Sequence, residues 1–299
     1  MEPLLLIPLC LFLGFLAARV ASPPAGMVPA LNWWVIQVAL PATVLELIPR
    51  LTFSIDLWFL AVSQWLVFIG AAVVLHSIGR VLGWSRARIG ALILVCGLGN
   101  TSFVGYPMLE ALRGREGLAL GVVADQLGCF MMLSIGGVMV AVIYGGAATS
   151  PSAIAKKILL FPAFIALMIG MMVGQLGGWP ASVDTILARL GATLTPLALF
   201  SVGLRLRLTL HAYQFAPVAI GLSWKLLMAP LLILSLGSLM AVSGLTLSIS
   251  VLQAAMAPMI SAAILAEQYD LEPDLANAVL GVGILLSLIS VSVWNLALP

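Results

Sequence analysis

Charge is what this sequence has least of. Lys and Arg number 13 and Asp and Glu 11 among 299 residues, 8% of the chain, where a soluble domain carries about 25%. A water-soluble fold of this size could not cover its surface with so few charges, and a soluble globular domain is excluded. The net charge of +2 is too small for a nucleic-acid binder, and no basic cluster has aromatic residues interleaved with it. Cys10, Cys96 and Cys129 all lie in apolar runs, form neither a CxxC pair nor a disulfide framework, and read as small core residues. Two histidines, His76 and His211, are too few for a zinc site. No Walker-type loop occurs, so ATP is not the driver. Neither a cofactor nor a metal is expected.

The chain is instead 63% apolar, against about 45–50% in soluble domains. It reads as an all-α polytopic membrane protein in a lipid bilayer. A bilayer core of about 30 Å asks for about 20 residues of helix. Apolar runs between Pro, Gly and charge punctuation give ten candidate spans. The first five are residues 3–20, 30–50, 57–79, 88–112 and 118–144; the second five are 156–176, 185–207, 216–241, 245–268 and 274–298. The connections are short, so no soluble domain is expected between them. The acidic start Met1-Glu2-Pro3 and the run into Arg19 fit a retained helix better than a cleaved leader. Eight basic residues (Arg19, Arg80, Arg86, Arg88, Lys156, Lys157, Arg205, Arg207) fall in connections on one side, and Arg50, Arg113, Arg115 and Arg189 on the other. The positive-inside rule then puts both termini outside the cytoplasm.

Five spans followed by five force two halves, 1–149 and 150–299, to insert with opposite orientation. Pro41 precedes Arg50 by nine residues in the second span, and Pro196 precedes Arg205 by nine in the seventh. The fourth and ninth spans are the most broken. One runs Gly97 to Pro107 through Asn100, Thr101 and Ser102; the other runs Gln253 to Pro258, with Ser102 and Gln253 each five residues before a proline. Broken helices in matching positions of inverted halves point to a transporter binding site. Pro removes a backbone donor, and in lipid the freed polar groups must be buried in protein or face a wet cavity. Helix ends freed in this way can hold an ion.

These stretches resemble the auxin efflux carrier family, which includes plant PIN-type auxin exporters and bacterial carriers of malonate and malate. The resemblance rests on Asn32 to Arg50, on Asn100-Thr101 through Gly105-Tyr106-Pro107, on Pro196 to Leu204, and on Val251 to Asp274 with its Gln-Ala-Ala-Met-Ala-Pro run. It implies a fold similar to bile-acid/sodium symporters, in which the fourth and ninth helices cross near mid-membrane. It also implies a scaffold of spans 1, 2, 6 and 7 that often forms a homodimer, and a moving transport domain of spans 3–5 and 8–10. The substrate is then a small organic anion, carried by elevator-like alternating access, in a bacterial inner membrane. The substrate contacts it implies fall on Asn100, Thr101, Ser102, Gly105, Tyr106, Pro107, Gln253, Ala257 and Pro258. The long cytoplasmic loop of the plant exporters is missing, and phosphorylation control through it is not expected.

Two charges lie deep in apolar spans, Asp125 in the fifth and Lys225 in the eighth. Such residues face a cavity or a partner, and the two are candidates for a coupling or charge-compensating pair. Lys225 snorkelling to a membrane face is the plain alternative. Glu46 and Arg50 have the spacing of a local helical ion pair, as do Glu110 and Arg113. An intramembrane enzyme is not expected, since no His/Glu cluster, paired Asp motif or buried Ser/His set occurs. The alternatives carried forward are a sodium-coupled anion symporter and a non-transporting receptor or scaffold. Sodium needs several oxygens and commonly a carboxylate, yet Leu252 to Ala266 contains no Asp or Glu. Transport is therefore expected to be uncoupled or proton-linked through Asp125.

Overall fold

A computed structural model describes residues 2–52, 57–146, 150–206 and 209–298. Arg207 and residue 149, the expected end of the first half, lie outside the described residues. Regular structure among the described residues is helical. We number twelve helices in chain order: α1 Glu2–Val20, α2 Met27–Arg50, α3 Trp58–Val81, α4 Arg86–Gly97, α5 Gly105–Gly145, α6 Pro151–Leu159, α7 Pro162–Gln175, α8 Ala181–Arg205, α9 Ala212–Leu239, α10 Gly244–Ala254, α11 Ile260–Gln268 and α12 Pro273–Ala297.

Six of these, α2, α3, α5, α8, α9 and α12, are long and apolar enough to cross a bilayer. Helices α6 and α7 form a bent pair with 58° between them. Pro162 opens α7 and cannot donate to the preceding turn, which accounts for the bend. Between 33% and 56% of each crossing window is buried inside the protein. The remaining faces carry exposed Leu, Ile, Val, Met and Trp, including Leu9, Phe12, Val73, Met139 and Ile289. An apolar surface that extensive belongs in a lipid bilayer. The chain is a polytopic membrane protein.

The chain divides into two compact units. Unit 1 comprises Met1–Ser54, Ser102–Val122 and Ala155–Leu206; unit 2 comprises Ile55–Thr101, Val123–Ile154 and Arg207–Pro299. In unit 1, α1 lies directly on α8 because Gly14 and Gly203 face one another. A Cβ on either glycine would strike the backbone of the other helix. Asn32 Oδ1 accepts from Ser201 Oγ at 2.6 Å and ties α2 to α8. In unit 2, Ser85 caps α4 by accepting from the Arg88 amide at 3.0 Å, while Arg88 Nε pairs with Glu272 at 2.9 Å. Four stretches among the described residues wind as π-helix: Val35–Ala39, Ala124–Cys129, Leu133–Gly137 and Trp224–Met228. Two of them end two residues before a proline, Pro41 and Pro230. Pro230 leaves the Leu226 carbonyl without its helical amide, and the Trp294 indole donates to that oxygen at 2.9 Å.

Candidate functional site

In unit 2 the two helix breaks are joined by backbone. Helix α4 stops at Gly97 and the chain turns extended at Leu98; α10 stops at Ala254 and, after a turn at Ala255 and Met256, runs extended through Pro258. Gly99 and Pro258 form an antiparallel bridge. The Asn100 amide donates to the Ala257 carbonyl at 2.7 Å, and the Met259 amide donates to the Leu98 carbonyl at 3.1 Å. These bonds satisfy backbone groups that the broken helices leave over, as burial requires. Pro258 sits in this extended stretch, where its missing N–H breaks no helical bond. Gly283 of α12 makes room for it, since a Cβ there would stand 2.5 Å from the Pro258 ring.

A buried polar cluster surrounds the bridge. Asn100, Thr101, Asp125, Gln253 and Lys225 are each 3% exposed or less. Thr101 Oγ1 donates to Asp125 Oδ1, and Gln126 Nε2 donates to Asp125 Oδ2 at 2.7 Å. Gln253 Nε2 reaches the Thr101 carbonyl at 3.4 Å. Cys129 Sγ donates to the Gly99 carbonyl at 3.2 Å. Lys225 reaches the break itself, for a Cβ built on Gly99 would lie 3.0 Å from its Nζ. The ammonium is fully buried, and no group among the described residues, Asp125 included, hydrogen-bonds it. Lys225 does not snorkel; it ends inside the protein beside Gly99. Asp125 and Lys225 share one feature that spacing did not reveal, because each sits on a π-helical stretch. Such bulges re-aim side chains and occur often at functional sites.

The expected contact residues divide between the units. Asn100, Thr101, Gln253, Ala257 and Pro258 are brought together in unit 2, with Asp125 and Lys225. Ser102, Gly105, Tyr106 and Pro107 belong to unit 1. Pro107 does not break a helix there: α5 begins at Gly105, so the proline occupies its first turn, where no amide is needed. The Ser102 carbonyl accepts from the Tyr106 amide at 3.3 Å and starts that turn.

Unit 1 also holds an ion cluster that local spacing only partly revealed. Glu46 is 3% exposed, and its carboxylate is held by Arg115, with Arg50 farther off at 3.8 Å. Arg50 pairs instead with Asp184 of α8. Glu110 lies 3.9 Å from Arg115. Tyr106, Thr43 and Thr195 line a small cavity against Glu46 and Arg115. Gly114, at φ +67°, ends the arm that carries Tyr106 and Glu110 and sets Arg115 just beyond the bend.

A fold of apolar spans around a buried polar break belongs to membrane carriers, and comparison with known proteins agrees. The family model described as membrane transport protein matches residues 1–295, and the chain belongs to that family, the auxin efflux carriers. It is 27% identical to an uncharacterized transporter of Methanothermobacter thermautotrophicus over 300 residues, covering 99% of this chain and 98% of the relative. An uncharacterized transporter of Methanocaldococcus jannaschii is 23% identical over 303 residues, covering 99% and 97%. The family consists of membrane transporters and not of enzymes.

Proposed function

We propose that this protein is a secondary carrier that moves a small organic anion by elevator-like alternating access. The observation that carries the reading is the joined pair of helix breaks, with a buried ammonium at Gly99 and a buried carboxylate at Thr101. A site that must take and release an anion needs positive potential that is not fully neutralised. Lys225 supplies it, with no hydrogen-bond partner among the described residues to compete. Amides such as Asn100 and Gln253 donate to a carboxylate with less desolvation cost than a full charge, which suits reversible binding. The ten expected spans, in two inverted halves with broken spans four and nine, remain our reading of the topology, with both termini outside the cytoplasm. The division of the chain supports a scaffold of spans 1, 2, 6 and 7, since these fall in unit 1. Spans 3 and 8–10 fall in unit 2, while spans 4 and 5 divide between the units; a transport domain of spans 3–5 and 8–10 and a scaffold homodimer complete the reading.

The driving force follows from charge. A cation bound at the breaks would meet the fixed ammonium of Lys225, and like charges at such distance in a low-dielectric interior repel strongly. Lys225 is thus a tethered substitute for a coupling sodium ion, and Asp125 is the group placed to carry a proton. The test is counterflow in proteoliposomes preloaded with malonate or malate. Transient accumulation of the labelled acid, lost in Lys225→Met, is expected. A folded, correctly inserted protein that exchanges no carboxylate would favour a receptor.

A further inference from the structure

We propose that unit 2 carries a binding site for an anionic membrane lipid in the groove between α3 and the last turns of α5. Three features define it. The groove has a volume of about 710 Å³ and a wall of Ile69 and Val73 on one side and Ile135 and Met139 on the other. Its apolar flanks are open: Val73 is 61% and Met139 55% exposed. One end is closed by polar groups, where His76 Nδ1 and Tyr144 Oη lie 2.7 Å apart. Basic residues stand next to that end. Arg80 follows His76 by one helical turn on the same face of α3, and Arg86 reaches across to the Ile143 carbonyl beside Tyr144.

An apolar channel alone would take any lipid tail. The groove between α9 and α12 is of that kind, lined by apolar residues with Ser223 and Ser290. The α3/α5 groove differs because its polar end is lined by an imidazole and a phenol, with Arg86 beside the phenol and Arg80 one turn beyond the imidazole. Basic pockets of this sort at a helix end select phosphate-bearing anionic lipids, and guanidiniums bind phosphate as paired donors. Gly136 lets Phe68 lie against α5 and form the floor, since a Cβ there would stand 2.6 Å from that ring. A chain of one lipid lies along this floor with its phosphate between Arg80 and Arg86. The assignment rests only on membrane insertion and not on the transport mechanism.

Native mass spectrometry of the purified protein, incubated with equal amounts of phosphatidylglycerol and phosphatidylcholine, tests it. Preferential retention of phosphatidylglycerol is expected. Arg80→Gln, an exposed position, should lower that retention about fivefold, the share of one basic side chain at an anionic surface, while leaving phosphatidylcholine unchanged. Val73→Trp should lower it by filling the groove. Equal retention of both lipids, or a preference untouched by Arg80→Gln, would overturn the proposal. Loss of the preference on adding inorganic phosphate would show a free-anion site instead of a lipid site, and would overturn it too.

Discussion

Lys225 and Gly99 meet where the chain leaves α4: the ammonium lies 3.0 Å from the point a Cβ on the glycine would occupy. Only a residue without a side chain lets the lysine reach the broken backbone, where the Gln253 carbonyl is also at hand. The pairing explains why a charge sits at zero exposure among apolar spans. Burying an ammonium costs stability, and the proposed role of Lys225 in anion binding gives that cost a function.

Lys225→Met therefore separates stability from activity. An apolar chain of similar volume removes the desolvation cost, and stability should rise by about 1 kcal/mol or more. Anion exchange should be lost. Thermal unfolding in detergent, read beside counterflow, checks both halves, and a destabilised but active variant would contradict the role.

Asp125→Asn keeps the shape of the carboxyl and removes its charge. The asparagine offers a single oxygen, so only one of Thr101 Oγ1 and Gln126 Nε2 keeps its acceptor, with a loss of about 1–3 kcal/mol. Uptake should continue but no longer respond to an inward proton gradient. A variant that keeps the full gradient response would remove Asp125 from coupling.

Asn100→Ala leaves the backbone bond to Ala257 intact, because that bond uses the main-chain amide. Carboxylate affinity should fall by about 1.5–3 kcal/mol, the worth of one hydrogen bond to a charged group. Thermal shift with malonate or malate reads this as a lost ligand stabilisation. Unchanged affinity in a folded variant would take Asn100 out of the site.

The ion cluster of unit 1 should divide by burial. Glu46→Gln removes the charge facing Arg115 and Arg50, for a loss of about 1–3 kcal/mol, below the value for a fully buried pair because both arginines are half exposed. Asp184→Asn should cost under about 1 kcal/mol, since its pair with Arg50 is solvated. Denaturation midpoints of the two variants give the order directly.

Much of this was legible in residue order, and the rest depended on contacts far along the chain. Gly97, Gly99 and Asn100 marked one break and Pro258 the other, yet only the folded backbone revealed that Gly99 pairs with Pro258 and that Pro107 opens a helix. Spacing suggested Arg50 as the partner of Glu46, whereas Arg115, 69 residues on, holds it more closely. The depth of Asp125 and Lys225 was plain from their apolar flanks. Their π-helical setting was not, because it is fixed by tertiary groups: the Trp65 indole donates to the Leu127 carbonyl at 3.0 Å, and Trp294 to that of Leu226.

The measurement that bears most directly on the central claim is labelled malonate or malate uptake into proteoliposomes with sodium replaced by choline, at fixed pH and membrane potential. With Lys225 standing in for the coupling cation, uptake should be unchanged by the replacement. A strict sodium requirement would contradict the account and return the protein to the sodium-coupled symporters.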